Sequence, residues 1–313
     1  MKLAIEQGSP EWLAVRRTLV TATDIPVLLG VSPYKSEGDL AREKLGEAEP
    51  VESTIPMRVG TALQQLIADE AERVTGRTYR QVHGLWTHPS LTWAAASPDG
   101  TAVGERRLLE CKWTSSRSRF ADGLPDDVTA QVAWQLFVSG YPAADVAVLI
   151  GGTEVRVFDV ARDVALEDDL VAIAEDFRAR LTAGGPFAES SDSLKRLYPS
   201  DNGSEMTADA ELSEAVLALS AMRGQRKDME AAEERIETAI KSRMGEATSL
   251  VGDGFRVTWK QTKPVEQTDW RSVADGALRQ LPETEARALV GIATTTRPGF
   301  RPFRVTFSKG DET

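Results

Sequence analysis

The sequence is poor in the residues that most hydrolytic and redox chemistry uses. It has one cysteine, Cys111, in 313 residues. A single thiol closes no intramolecular disulfide and cannot build a cysteine-rich zinc or iron–sulfur site. Histidine is almost as scarce, with only His83 and His88. A histidine-based zinc hydrolase or a Ser–His–Asp hydrolase therefore lacks material. The longest apolar stretch, near Val146 to Ile150, is far too short to span a bilayer. The opening residues, Met1 to Pro10, are too short and polar for a secretory signal. The expectation is a cytoplasmic protein with no membrane partner. Positive charge is also short, with 37 Lys and Arg against 48 Asp and Glu and a net charge of −11. Such a protein repels phosphate at long range unless its cations are gathered at one face. Residues 255–313 carry a small positive excess, so the tail is mildly basic.

What is present suits a globular α/β protein: 41% apolar and 27% charged residues exclude a disordered chain. Trp12, Val15 and Leu19 have near-helical spacing, and the Thr21-Ala22-Thr23-Asp24 run offers a cap for a short helix after them. Residues 57–76 read as an amphipathic helix, with Leu63, Leu66, Ile67, Ala71 and Val74 on one face and Gly76 closing it. Strands are expected at 78–86, 92–96 and 108–113, then a helix at 127–139, two strands at 145–150 and 154–160, and a helix at 165–183. Residues 184–204 read as a linker. Beyond them, residues 207–247 are helical, with a seam of Leu212, Val216, Leu219, Met222, Met229, Ile236 and Ile240. Gly224 is a candidate break between two helices of a hairpin, and a coiled coil is the competing reading. Residues 255–261 and 303–308 alternate like strands. The expected division is 1–200 and 201–313.

The candidate chemistry lies in two short motifs. Asp99 sits in Ser97-Pro98-Asp99-Gly100, which taken alone is a tight turn. Glu110-Cys111-Lys112 lies in the expected strand at 108–113. Alternation puts Glu110 and Lys112 on one face and Cys111 on the other. The flanking Leu108, Leu109 and Trp113 mark the strand as buried, where a charge is costly without partners. Pairing the neighbouring segments brings Asp99, Glu110 and Lys112 to one edge of a sheet. Two carboxylates and the Cys111 carbonyl are hard oxygen donors of the kind Mg²⁺ takes, and Mn²⁺ suits the same set. With Lys112 to stabilise charge and orient or deprotonate a water, this is a set for phosphodiester hydrolysis.

The same motifs resemble the bipartite active site of the restriction-endonuclease-like, PD-(D/E)XK, nucleases. The helix–strand–strand–strand–helix–strand order resembles their core. More narrowly, residues 8–160 resemble the lambda-type phage exonucleases, or YqaJ-like viral recombinases. The matching pieces are Gly8-Ser9-Pro10-Glu11-Trp12 with Arg16, Thr21-Ala22-Thr23, Gly60-Thr61-Ala62-Leu63, Ser97-Pro98-Asp99-Gly100, Glu110-Cys111-Lys112 and Gln131-Val132-Ala133-Trp134-Gln135. The implied fold is α/β, a mixed central sheet flanked by helices, with a C-terminal helical and small β extension. The resemblance implies that Asp99, Glu110 and the Cys111 carbonyl hold the metal. Lys112 is then the catalytic lysine, and Gln131, otherwise a helix-surface amide, lies near the scissile phosphate. Arg16 and Thr23 match positions that bind the 5′-phosphate, and Met57 matches an apolar wedge that splits the terminal base pairs. Where the family has a glutamate, this chain has Gln64, a ligand without negative charge. Arg106, Arg107, Arg117 and Arg119 are close enough in sequence to line the DNA path with Lys112.

The activity so implied is Mg²⁺-dependent degradation of one strand of linear double-stranded DNA. It would run 5′ to 3′ from a phosphorylated end and leave 3′ single strands for an annealing protein. Implied with it are a homo-oligomer, a trimeric ring among the options, and the cytoplasm of a bacterium or phage-infected host. Two alternatives keep the fold: a DNA-end-binding pseudo-nuclease, suggested by Gln64, and a structure-specific or restriction-type endonuclease. A third, a helical interaction protein without nucleic acid, rests on residues 207–247 and the acidic charge.

Overall fold

Eight consecutive residues, Arg107–Thr114, form the strand around which the first part of the chain is organised. The computed structural model describes residues 2–3, 5, 8–48, 53–296, 299 and 301–306. The chain divides into two compact units, Met1–Tyr198 and Pro199–Thr313.

The first unit contains, in chain order, β1 (Lys2–Leu3), α1 (Pro10–Arg17), β2 (Val20–Thr21), α2 (Ile25–Leu28), α3 (Glu37–Leu45) and α4 (Ile55–Thr75). Five strands follow: β3 (Tyr79–Gln81), β4 (Leu85–Thr87), β5 (Ala94–Ala96), β6 (Gly100–Ala102) and β7 (Arg107–Thr114). Then come α5 (Asp126–Ser139), β8 (Ala143–Ile150), β9 (Glu154–Ala161), α6 (Val164–Ala183) and α7 (Ser191–Leu197). A five-stranded sheet has the order β3-β6-β7-β8-β9, and a four-stranded sheet the order β1-β4-β5-β2. In the larger sheet β7 and β8 are parallel and the other pairs antiparallel. Parallel neighbours need a crossover, and α5 supplies it. The expected mixed α/β class and the strand–strand–helix–strand core are both present.

Alternation along β7 sets the layers. Leu108 packs with Val128, Val132 and Leu136 of α5, while Leu109 packs with Ile67, Ala68 and Ala71 of α4. Burying β7 between two helices explains why it reads as a nearly continuous apolar run. The far side of α5 covers the smaller sheet, where the buried Trp134 donates its indole N–H to the Ala95 carbonyl at 3.1 Å. The ends of α4 are chemically specified. Thr54 accepts from the Met57 N–H at its start, and Gly76 ends it in the left-handed conformation, φ 71°.

Several expected elements are corrected. The strand expected at 78–86 is two strands, β3 and β4, in different sheets. The turn read at Asp99 opens directly into β6, which alternation over three residues, Gly-Thr-Ala, was too short to signal. Leu66 and Val74 are exposed, so the buried stripe of α4 is narrower than the sequence pattern suggested. The linker contains α7, capped by Ser190.

The second unit contains α8 (Ala210–Met244), β10 (Ser249–Gly252), β11 (Phe255–Thr258), α9 (Trp270–Leu278) and α10 (Glu283–Ala293). Strands β10 and β11 form an antiparallel hairpin. The α-hairpin expected at 207–247 is replaced by one unbroken helix of 35 residues, roughly 50 Å long. Gly224 lies inside it, and Met222, Met229 and Ile236 are exposed rather than packed on a second helix. Of the strand expected at 303–308, residues 303–306 are not in a strand, and 307–308 lie outside the described residues.

No heavy atom outside its own helix backbone approaches a Cβ built at Gly224. Gly224→Ala is therefore expected to stabilise α8 by about 0.5–1 kcal/mol. Thermal unfolding followed by far-UV circular dichroism checks this, and a loss of stability would restore the turn at that position.

Candidate active site

The site grows from the alternation of β7. Glu110 and Lys112 share the α5 face with Leu108, whereas Cys111 and Trp113 join the α4-side core. Glu110 is buried, at 4% exposure, so its carboxylate needs partners. It finds three. Oε1 accepts from Lys112 Nζ at 2.6 Å and from Gln131 Nε2 at 2.7 Å. Oε2 accepts from Gln135 Nε2 at 2.8 Å. Lys112 Nζ also donates to Gln131 Oε1 at 2.8 Å, closing a ring of three side chains. Residues 131 and 135 are one helical turn apart, so both amides reach down from one face of α5.

Asp99 stands just before β6, on the neighbouring strand. Its Oδ2 accepts the Cys111 backbone N–H at 2.7 Å, and its Oδ1 accepts the Gln64 amide. Burial and then the negative charge of Glu110 push its carboxyl up to about 8. Burial works against the charge of Lys112, but Glu110, with Asp99 and Asp127 behind it, outweighs burial and the ammonium's pKa is raised. Lys112 is therefore held as a cation. The Cys111 thiol is pushed up by burial and by the two carboxylates, so it stays protonated.

The resemblance implies a divalent metal, and the donor set fits one. Two carboxylates repel each other at close quarters, and each keeps lone pairs beyond its hydrogen bonds. Among the described residues no three His, Cys, Asp or Glu side chains gather into a metal-binding group. Asp99, Glu110 and the Cys111 carbonyl would leave several positions to water, which suits Mg²⁺. Gln64 presents its NH₂ to Asp99. In this arrangement it acts as a donor that holds Asp99.

A pocket of about 280 Å³ opens beside Lys112 and Gln131, lined also by Thr23, Ser32, Tyr34, Arg119 and Asp127. Arg119 reaches it while paired to Asp127 at 2.5 Å. Thr23 accepts from Arg16 Nη2 at 2.9 Å, so Arg16 is held at the same side. Met57 is exposed in the first turns of α4, two turns and about 10 Å along the same helix face from Gln64. Arg117 is not brought in: it bonds Thr153 and Glu154 at the β8–β9 turn. Arg106 and Arg107 are tied at the opposite end of β7, to the Gly140 carbonyl and to Asp145 and Asp159. Of the five basic residues expected to line a DNA path, Lys112 and Arg119 line this pocket. Gln135 is a site residue the sequence reading left without a role. Its helical spacing from Gln131 was the available signal.

Residues 11–142 match the model of the YqaJ-like viral recombinase domain. The matched segment contains Arg16, Thr23, Asp99, the Glu110–Lys112 strand and Gln131. A relative, the uncharacterised protein YqaJ of Bacillus subtilis (strain 168), is 26% identical over 268 residues, 82% of this chain and 84% of its own. Among solved structures, an alkaline exonuclease (LHK-Exo) from Laribacter hongkongensis is similar at TM-score 0.48 and 22% identity, covering 56% of this chain and 94% of that one. A phage-related exonuclease from Haemophilus somnus 129PT is similar at TM-score 0.42 and 10% identity, covering 53% and 96%. Among the described residues no helix is long and apolar enough to cross a membrane.

Asp99 holds its proton below about pH 8, so a cation that binds there must displace that proton. Mg²⁺ affinity is therefore expected to rise with pH, by up to about tenfold per unit, and to level off above about pH 8. Isothermal titration in buffers of different ionisation heat measures both the affinity and the proton released. Constant affinity with no proton release across that range would contradict the assignment.

Proposed function

We propose that the chain is a metal-dependent deoxyribonuclease, an exonuclease that degrades one strand of linear duplex DNA from a 5′-phosphorylated end. The observation that carries this reading is the Glu110–Lys112–Gln131 ring, with Asp99 near enough for the charge of Glu110 to act on it and with Lys112 and Gln131 lining a pocket that Thr23 and Arg119 also line. The recombinase family of residues 11–142 supports the same reading.

Each part has a job within it. Asp99, Glu110 and the Cys111 carbonyl hold Mg²⁺, or Mn²⁺ in its place. A bound divalent ion polarises a phosphoryl oxygen and makes its water more acidic. Lys112, kept protonated by Glu110, donates to an oxygen of the scissile phosphate and stabilises the charge that builds there. Gln131 orients Lys112 through its Oε1 and lies against the reacting group. Gln135 and Gln64 fix the two carboxylates so that they do not swing away from the metal. Arg16 and Thr23 grip the terminal phosphate; a guanidinium and a hydroxyl suit a dianion. Met57, apolar and exposed, serves in this reading as the wedge between the last base pairs. Arg117 has no part in this reading.

Cutting 5′ to 3′ leaves 3′ single strands, the substrate of a strand-annealing partner. A homo-oligomer closing around DNA and work in the cytoplasm of a bacterial or phage-infected cell belong to the same reading. The acidic net charge is no obstacle, because binding at a confined pocket depends on local cations.

Incubation of an end-labelled, 5′-phosphorylated linear duplex with Mg²⁺ should release nucleotides progressively from the 5′ end. A covalently closed circle should stay intact. Lys112→Ala should lower the rate by about 10²–10³-fold, the scale seen when one transition-state donor is removed. Cutting of the circle would support an endonuclease instead, and end binding without release of nucleotides would support a pseudo-nuclease.

A further inference from the structure

Among the charged groups buried in the first unit, one pair lies away from the carboxylates of the active site. Asp24, at 1% exposure, pairs with Lys44, whose side chain is 3% exposed, at 2.6 Å. Lys44 comes from the last turn of α3, twenty residues along the chain. Its other two hydrogens go to the carbonyls of Leu19 at 2.7 Å and Arg16 at 3.0 Å. All three ammonium donors are used, so Lys44 has none for a ligand.

Asp24 passes the order on. Its Oδ2 also accepts from the Thr21 backbone N–H at 2.7 Å and the Thr21 hydroxyl at 2.9 Å. The Thr21 hydroxyl in turn accepts from Arg16 Nη2 at 3.1 Å, and the same Nη2 reaches Thr23 at 2.9 Å. Thr23 lines the pocket beside Lys112. Arg16 stacks over the Trp12 ring, with its guanidinium carbon 4.5 Å from the centroid, which fixes the plane of the fork.

The second oxygen of Asp24 gives this arrangement a consequence. Oδ1 is buried and has no hydrogen-bond partner among the described residues. It is an acceptor waiting for a cation, and Arg16 is already close enough for its charge to act on Asp24. With Lys44 in place the carboxylate is neutralised and Arg16 stays on the Thr21 and Thr23 hydroxyls, the second of which lines the pocket. Without it the buried anion would be uncompensated, and the nearest guanidinium would be drawn toward it.

We propose that Lys44 is a positioning residue that sets the preference for a phosphorylated 5′ end: by neutralising Asp24 it keeps the charge of Arg16 available to the terminal phosphate. The proposal rests on the reading of Arg16 and Thr23 as the 5′-phosphate site.

The test compares kcat/KM of the full chain on two linear duplexes, identical except for a 5′-phosphate or a 5′-hydroxyl, with Mg²⁺ present. In Lys44→Met the phosphate-over-hydroxyl ratio should fall by about tenfold or more, the scale of one charge-assisted hydrogen bond. Most of the fall should be in KM for the phosphorylated end. Asp24→Asn with Lys44→Met removes both charges and should return the ratio to within about threefold of the parent. Equal losses on both ends, or an unchanged ratio in Lys44→Met, would overturn the proposal, since a merely structural pair affects both substrates alike. Should Lys44→Met not fold, the double variant decides: a ratio tenfold or more below the parent contradicts the proposal, and a retained ratio supports it. A parent that cuts both ends equally would sink the 5′-phosphate reading and this proposal together. A discriminating parent with an indifferent Lys44→Met sinks the proposal alone.

Discussion

A carboxylate buried on a β-strand is the constraint on which the site depends. Glu110 sits where its neighbours are aliphatic on both sides of the sheet. Leaving it there without partners would cost several kcal/mol. The fold answers by laying α5 across β7 so that Gln131 and Gln135 reach both carboxylate oxygens while Lys112 closes the set. Position and charge state thus come from one arrangement. The carboxylate that would bind the metal is also what keeps Lys112 protonated. The second carboxylate, Asp99, is left with its charge opposed by Glu110, a repulsion that a divalent cation relieves.

A similar arrangement recurs around Arg16 and Thr23. Asp24 and Lys44 are both buried, and their pairing orders Thr21, Arg16 and Thr23 in sequence. In both places a buried charge pair is weak evidence for stability but a strong device for fixing geometry. The two sets meet at the pocket through Thr23 and Lys112.

Much of this was legible in the sequence, and the reasons are physical. Period-two alternation placed Glu110 and Lys112 opposite Cys111. Helical spacing placed α4, α5 and α6 to within a few residues. What escaped depends on tertiary packing. Asp24 looks like a helix cap, yet its side chain makes no cap bond to α2 and serves Thr21 and Lys44 instead. Its partner lies twenty residues away on another helix, a distance over which no local pattern speaks. Gln135 had the spacing but no visible role until both oxygens of Glu110 were known to need donors. Gly224 shows the opposite error. A glycine in a helical run signals a break by propensity, but a penalty of about 1 kcal/mol does not interrupt a helix of this length. The basic residues misled through numbering alone: Arg106 and Arg107 are near Lys112 in sequence but at the other end of an extended strand.

The central claim is that Asp99 and Glu110 share one divalent cation. Crystals soaked in Mn²⁺ and measured at the manganese edge test it directly. The account predicts an anomalous peak within coordination distance, about 2.0–2.3 Å, of oxygens from both carboxylates. A protein that binds Mn²⁺ with no peak between those two side chains, or with its peak held elsewhere, would contradict it.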